Sequence, residues 1–272
     1  MREMYITRNK IRLLLLLSAL LLAVGCHHRP TMREMGIVLD TLRINDCFVP
    51  LTDSLPEPNC EFDIELITLA NAEYSALNDS LLRSGILTPE YLSLTDTTLT
   101  PREAVDSFIE RYAADYRTFF ANIFLDEGDA DAVSKSYQLA TSIGEGRDSV
   151  LCYEAHITQK EGAVQNTYTI CKNMDLAHCR LLTLDDVFVH GSDHGLSEAI
   201  AAQLLRQTAK KSLSELHDAG FFVGTEVYPT PNFLLGDKSV TFVYVPGEIA
   251  DRDKGEIRVE VKYANIKHLL KR

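Results

Sequence analysis

The chain has 272 residues, with 27 lysines and arginines against 39 aspartates and glutamates, so its formal net charge at pH 7 is −12. This balance excludes nucleic acids and anionic membrane surfaces as natural partners, because both bind basic surfaces. The length is enough to bury the core of one or two domains.

Residues 1–25 have the pattern of a bacterial lipoprotein signal peptide. An apolar run from Leu13 to Val24 precedes the small residues that lead to Cys26. This run of about 12 residues is shorter than the roughly 20 that a membrane-spanning helix needs. Four basic residues precede it: Arg2, Arg8, Lys10 and Arg12. We therefore predict that residues 1–25 are cleaved, that Cys26 is acylated, and that the mature chain is exported and lipid-anchored to a bacterial membrane. An uncleaved anchor and an ordinary signal peptide are the alternatives.

The mature chain is more acidic than the precursor. Residues 1–25 hold four basic residues and one acidic residue, so their removal brings the net charge to −15. Such a charge suits a basic partner, although acidity is also common among exported proteins.

The first part of the mature chain predicts strands that flank helices. A tether over 26–59 leads into the first strand, and Cys60–Leu69 alternates apolar and acidic residues as a half-buried strand does. A short helix over about 74–81 precedes Gly85, and a capped helix begins at Thr100. Three strands follow: Ser136–Ser142, Val150–Thr158 and Asn166–Lys172.

The second part of the chain predicts a similar mixture. One helix covers Leu196–His217, and a short helix, Ile266–Leu270, closes the chain. Three strands lie between them: Asn232–Leu235, Ser239–Val245 and Glu256–Tyr263. Because helices and strands are grouped, the fold class is predicted as α+β, with antiparallel sheets, helices packed on one face and two adjoining modules at 60–172 and 173–272.

The cysteines leave two interpretations open. Five follow Cys26, so at least one is free or pairs between chains. An exported compartment permits the bridges Cys47–Cys60 and Cys152–Cys171, but cysteine is also a small buried apolar residue. No Cys-x-x-Cys pair occurs, so neither a redox motif nor a zinc knuckle is indicated.

Three stretches of the chain carry a resemblance to a known exported domain. They are Asn173–Leu176 with Leu182–Phe188, then Pro231–Phe233, then Val240–Ile257. Together they resemble the domain of unknown function shared by lysozyme-sensing anti-sigma factors and by the non-catalytic region of peptidoglycan deacetylases. The resemblance implies an α+β sensor-like domain at 173–272 that follows a smaller strand-helix-strand module.

The departures from this family limit what is carried over. The turn Glu161–Val164 lacks the glycine-rich stretch with a histidine that relatives have, and Gly247 stands where they have an aromatic residue. Only about 12 residues precede the apolar run, too few for a sigma-binding segment, so no anti-sigma role is expected. The chain likewise offers no room for a separate deacetylase domain.

The motif residues are the candidates for ligand contact: Asp185, Asp186, Asn232, Phe233, Tyr244 and Glu248. For the adjacent aspartates, capping a helical turn that begins after Thr183 is the simpler interpretation, and a metal or acid–base pair is the alternative. No catalytic residue, cofactor or metal is predicted.

Weaker patterns point to cations. His190, Asp193 and His194 could ligate zinc, although Asp193 better suits a helix cap. The run Asp126–Asp131 is rich in carboxylates but lacks calcium-loop spacing, and His156 is a lone histidine within a strand.

The sequence thus predicts a non-enzymatic, lipid-anchored envelope protein that binds a wall-associated ligand, either a peptidoglycan fragment or a basic, lysozyme-like protein. No nucleic acid is expected as a partner. An envelope glycan hydrolase, with acids such as Asp185, Asp186 or Glu248 at its site, is the first alternative. Other chemistry is poorly supported, because the sequence has no Gly-x-Ser-x-Gly, His-Glu-x-x-His or phosphate-loop motif. A structural module of an envelope complex is the second.

Overall fold

The structure, a computed structural model, describes residues 31–48, 60–87, 98–127 and 134–271, with side chains of the long helix described up to residue 118. The signal peptide and Cys26 lie outside the described residues, as does most of the run Asp126–Asp131. The chain divides after Met35 into two units. Residues 31–35 of the first unit form a turn in which Met35 N donates to Thr31 O at 2.9 Å. Residues 36–272 form the second unit, to which everything below refers.

A six-stranded sheet runs in the order β1-β2-β3-β4-β5-β6. Its strands are β1 Leu39–Phe48, β2 Cys60–Leu69, β3 Lys135–Glu145, β4 Val150–Glu161, β5 Val164–Asp175 and β6 Arg180–Leu182. All neighbours are antiparallel except β2 and β3, which are parallel. The expected α+β class is confirmed, and the parallel pair β2–β3 departs from the otherwise antiparallel pairing. The helical crossover between β2 and β3 returns the chain to the end of the sheet at which β2 began.

Two helices cover one face of this sheet, α1 Ser75–Leu81 and α2 Pro101–Glu127. The alternation predicted for β2 is confirmed, since Cys60, Phe62, Ile64 and Leu66 are buried. The ring of Phe62 meets the α2 rings of Phe108 and Tyr112 at centroid distances of 6.3 and 5.5 Å. Edge-to-face aromatic contacts of this kind fix the helix on the sheet.

A second, antiparallel sheet of three strands packs on the opposite face, and a helix covers it in turn. Its strands are β7 Phe233–Leu235, β8 Ser239–Tyr244 and β9 Ile257–Lys262. One side of β8 presents Val240, Phe242 and Tyr244 to the core that helix α4, Asp193–Thr208, helps to form. The other side presents Val243 to Cys171 of β5. The order of layers is therefore helices, large sheet, small sheet, helix.

The remaining helical segments are short. They are α3 Leu184–Val187, α5 Leu213–Asp218 and α6 Tyr263–Ile266, the 3-10 turns Ala72–Tyr74, Arg252–Lys254 and Lys267–Leu269, and a π turn at Leu82–Ile86. Within the described ranges, no helix has both the length and the apolar character that crossing a bilayer requires.

The predicted single helix 196–217 is wrong, because the chain breaks between α4 and α5. Ala209 is left-handed, with φ +55°, and ends α4. Ser212 begins α5 by accepting from Glu215 N on its side chain. The closing helix predicted at 266–270 lies earlier, at Tyr263–Ile266, and continues as a 3-10 turn.

Candidate functional site

Asn232, a predicted ligand residue, joins the two sheets. Its side-chain oxygen accepts from Cys171 N at 2.6 Å. Its amide nitrogen donates to Thr169 O at 2.8 Å and to Val243 O at 2.9 Å. Both amide N–H groups and the carbonyl are thereby used within the protein, so Asn232 acts as a structural connector between β5 and β8.

Asn173 of β5 makes the corresponding connection to β7. It is 1% exposed, accepts from Leu235 N at 2.8 Å and donates to Phe233 O at 2.8 Å. A buried amide with both partners satisfied holds two chain segments in one register. Phe233 itself is 2% exposed and belongs to the core between the small sheet and α4.

The same inter-sheet seam contains two cysteines. Cys171 lies in a small apolar cluster with Leu234 and Val243, and Cys152 packs against it. Both thiols are free, and burial raises the pKa of Cys171 to about 12 and that of Cys152 to about 11. Cys60 also has a free, buried thiol. Cys60 and Cys171 are thus small buried residues, whereas Cys152 is partly buried and its Sγ donates to Leu235 O at 3.4 Å. The bridges Cys47–Cys60 and Cys152–Cys171 are not formed in the structure.

The adjacent aspartates Asp185 and Asp186 lie in the first turn of α3. Asp186 accepts from Thr183 N at 2.8 Å and Thr183 Oγ1 at 2.7 Å, and it also pairs with Arg180. Asp185 is exposed, and its main-chain oxygen accepts from Lys271 Nζ. Capping, the interpretation favoured from the sequence, is the arrangement that the structure has.

Asp186 makes the stability of this turn depend on pH. Partial burial raises the pKa of Asp186, but the hydrogen bonds from Thr183 and the contact with Arg180 outweigh it and lower the pKa to about 2. A lowered carboxyl pKa stabilises the fold above the unfolded pKa of about 4, and this contribution is lost as the pH falls towards 2.

We expect Asp186→Asn to lower the free energy of unfolding at pH 7 by about 1 kcal/mol, the usual effect of losing a charged cap. Urea unfolding at pH 7 and again near pH 3 should show this difference shrinking, because at pH 3 the carboxyl of the unfolded chain, with a pKa of about 4, is mostly protonated, whereas that of the folded chain, with its pKa of about 2, is still ionised. The control is Asp185→Asn, whose effect should stay within about 0.5 kcal/mol at both pH values. An Asp186→Asn difference that does not change with pH would contradict this assignment.

Tyr244 and Glu248 lie together in an aromatic cluster. The rings of Phe222, Tyr228 and Tyr244 meet edge to face, with centroids 5.7 to 5.9 Å apart. Tyr244 Oη donates to Tyr228 O at 2.5 Å, and Tyr228 Oη donates to Glu248 Oε1 at 3.1 Å. Burial and the nearby Glu248 carboxylate raise the pKa of Tyr228 to about 12.

A cavity of about 220 Å³ borders this aromatic cluster, between residues 220–225 and 247–251. Phe222, with φ +50°, is left-handed there, and its N–H donates to Ile249 O at 2.7 Å. Of the six predicted ligand residues, Tyr244 and Glu248 meet at this aromatic cluster. Phe233 shares the buried core with Tyr244, and Asp185 and Asp186 lie together on α3.

A larger groove lies between helices α4 and α5 and the segment 225–227, with a volume of about 670 Å³. We call it the α4–α5 groove. Its floor is formed by small and apolar side chains: Ala201, Ala202, Leu205, Leu213 and Val227. Leu213 is 46% exposed, although leucine is a residue that proteins usually bury. Polar and charged residues line the same groove: His194, Ser197, Glu198, His217, Thr225 and Glu226.

None of the residues predicted from the sequence to contact a ligand lines this groove, although α4 carries a signal for it. Leu196, Ile200 and Leu204 form the buried stripe of the helix. Ala201 and Leu205 form a second stripe beside it at the same helical spacing, and the predicted continuous helix to His217 obscured the turn that brings α5 against it.

The weaker cation patterns have ordinary structural partners. His194 Nε2 lies 3.3 Å from Glu198 Oε1, and His156 Nδ1 lies 2.9 Å from Thr169 Oγ1. Asp193 is the first residue of α4, where Ser192 is the N-cap, so Asp193 does not cap this helix. In the described part of the chain, no group of three or more histidine, cysteine or carboxylate residues is arranged to hold a metal ion.

Comparison with known proteins supports the fold and leaves the activity open. Residues 185–264 match the model of DUF3298, a family described as a protein of unknown function. A DUF3298 family member from Bacteroides fragilis is similar in structure, with a TM-score of 0.73 at 20% identity over 87% of this chain and 94% of that one. A DUF3298 family protein from Pseudomonas aeruginosa PAO1 gives a TM-score of 0.56 at 18% identity over 86% and 95%. No curated protein matches the chain.

Proposed function

We propose that this protein is a non-enzymatic binding protein of the bacterial cell envelope, anchored by lipid on Cys26, and that it binds a wall-associated ligand in the α4–α5 groove. The signal-peptide pattern of residues 1–25 supports export and lipid anchoring in the cell envelope. The resemblance to the exported domain of lysozyme-sensing anti-sigma factors and peptidoglycan deacetylases supports a ligand from the wall, either a peptidoglycan fragment or a basic protein.

The groove is the observation that carries this proposal. Its volume of about 670 Å³ lies within the range of about 300 to 1,000 Å³ that ligand sites occupy. Most of its exposed lining surface is apolar, and polar and charged side chains lie around it, as is typical of such sites. The motif residues Asn232 and Asp186 are engaged with main chain and with neighbouring side chains, so they are better suited to hold the fold than to meet a ligand.

The test is binding by the full chain in detergent to three probes: intact peptidoglycan sacculi, soluble muropeptides and a lysozyme. We expect binding to at least one of them at low salt. The Cys26→Ser variant is expected to keep this binding but to leave the membrane fraction of cells. No binding to any of the three probes would contradict the proposal.

A glycan hydrolase remains the second candidate because Glu198 and Glu226 line the same groove. Glycoside hydrolysis uses a pair of carboxylates flanking the scissile bond. Incubating sacculi with the protein and analysing the released fragments separates the two functions. If the wild type releases fragments and both Glu198→Gln and Glu226→Gln lose this release, the protein is a hydrolase and the proposed binding function is wrong.

A further inference from the structure

We infer that the α4–α5 groove takes a cationic amphipathic peptide segment, with apolar side chains on the groove floor and lysine or arginine side chains beside Glu198 and Glu226. This inference rests on the proposed function, because it gives the chemistry of the ligand at the same groove. It selects a polypeptide over a glycan as the occupant.

The floor of the groove calls for an apolar ligand surface. Along α4 the lining of the groove extends from His194 to Leu205, which at 1.5 Å per residue is about 16 Å. This length matches about three turns of a helical segment or about five extended residues. Leu213 faces it from α5 while 46% exposed, so covering it with apolar side chains removes that surface from water.

The charges of the groove call for a cation. Its described lining residues include Glu198 and Glu226 and no lysine or arginine. His194 lies 3.3 Å from Glu198, but the two side chains are 87% and 70% exposed, and such a pair holds its partners weakly. The Glu198 carboxylate therefore stays accessible to a stronger cationic partner. The net charge of −15 on the mature chain adds long-range attraction for a basic ligand.

The groove is less suited to the other ligands considered. No phenylalanine, tyrosine or tryptophan is among its described lining residues, so a sugar ring would lack a large flat apolar surface on which to stack. A peptide stem rich in carboxylates would meet like charges at Glu198 and Glu226. A cationic amphipathic segment satisfies both the floor and the charges.

The inference is tested with three fluorescent peptides of about 12 residues, in which leucine alternates in an amphipathic pattern with lysine, glutamine or glutamate. At low salt we expect the lysine peptide to bind the full chain at least about tenfold more tightly than the glutamine peptide. In the double variant Glu198→Gln and Glu226→Gln this ratio should fall to about twofold. Asp218→Asn, which removes an exposed charge from α5 outside the groove, should leave the ratio unchanged.

Equal affinities for the lysine and glutamine peptides, or a ratio that survives the double variant, would overturn the inference. Suppose that muropeptides bind the wild type, that the Ala202→Trp variant loses this binding, and that the peptides show no charge preference. In that case the proposed function stands and only this inference fails. If neither peptides nor wall probes bind, both fail.

Discussion

Replacing Asn232 by alanine is expected to lower the free energy of unfolding by about 4 kcal/mol, because three main-chain groups lose their partner at once. These groups are the N–H of Cys171 and the carbonyl oxygens of Thr169 and Val243. An unpaired buried polar group costs about 1 to 3 kcal/mol, and water entering the space left by the side chain would recover part of that cost.

Urea unfolding of the Asn232→Ala variant at pH 7 measures this loss. The matched control is Asn166→Ala, an asparagine of β5 whose side-chain oxygen accepts from Arg252 near the surface. Its effect should be about 0.5 kcal/mol. If Asn232→Ala lies within 1 kcal/mol of the control, the connection between the sheets does not depend on this amide.

Gly146→Ala is expected to lower the free energy of unfolding by about 3 kcal/mol, because the turn between β3 and β4 contacts the small sheet at this residue. A Cβ at position 146 would lie 2.5 Å from Leu235 O and 3.0 Å from Val150 O. Both oxygens belong to the main chain and cannot rotate away, so either the turn or β7 must shift. The Sγ of Cys152, also at 3.0 Å, closes the remaining side.

Gly144 provides the control for this substitution two residues away. A Cβ at position 144 would have no atom within 4 Å, and Gly144→Ala should leave the thermal midpoint unchanged or slightly raised, as expected where a strand loses a glycine. Equal midpoints for Gly144→Ala and Gly146→Ala in a thermal unfolding experiment would show that the two sheets do not pack as tightly as described.

The elements that depend on local pattern could be predicted from the sequence. Cys60–Leu69 alternates because one face of β2 lies under α1 and α2, and its bounds agree with the prediction. The capping of α3 also depends on a local pattern, because Thr183 and Asp186 are three residues apart and meet within a single turn.

The elements that depend on contacts between distant parts of the chain could not be predicted from the sequence. The parallel pair β2–β3 is set by the path of the intervening chain, and the end of α4 is set by the left-handed Ala209, a residue type that ordinarily continues a helix. The role of Asn232 could not be predicted from the sequence, because its partners Thr169 and Cys171 lie about 60 residues earlier in the chain.

In the C-terminal region, the motif residues stabilise the fold, and the groove that we propose as the binding site is formed by other residues. Asn173 and Asn232 join the sheets, Asp186 caps a turn, and Tyr244 and Glu248 order the aromatic cluster. The exposed apolar surface beside charged side chains lies elsewhere, between α4 and α5. This separation explains how a resemblance based on motif residues can indicate a fold without indicating where on the surface a ligand binds.

The most direct test of the groove as the binding site compares two tryptophan variants of α4. Ala202→Trp fills the groove, whereas Gln203→Trp adds the same bulk on the next residue, which does not line it. The affinity of each full-length variant for the wall probe that the wild type binds is the measurement. The account predicts at least about a tenfold loss for Ala202→Trp, about 1.4 kcal/mol, and no loss for Gln203→Trp. Equal affinities for the two variants would contradict it.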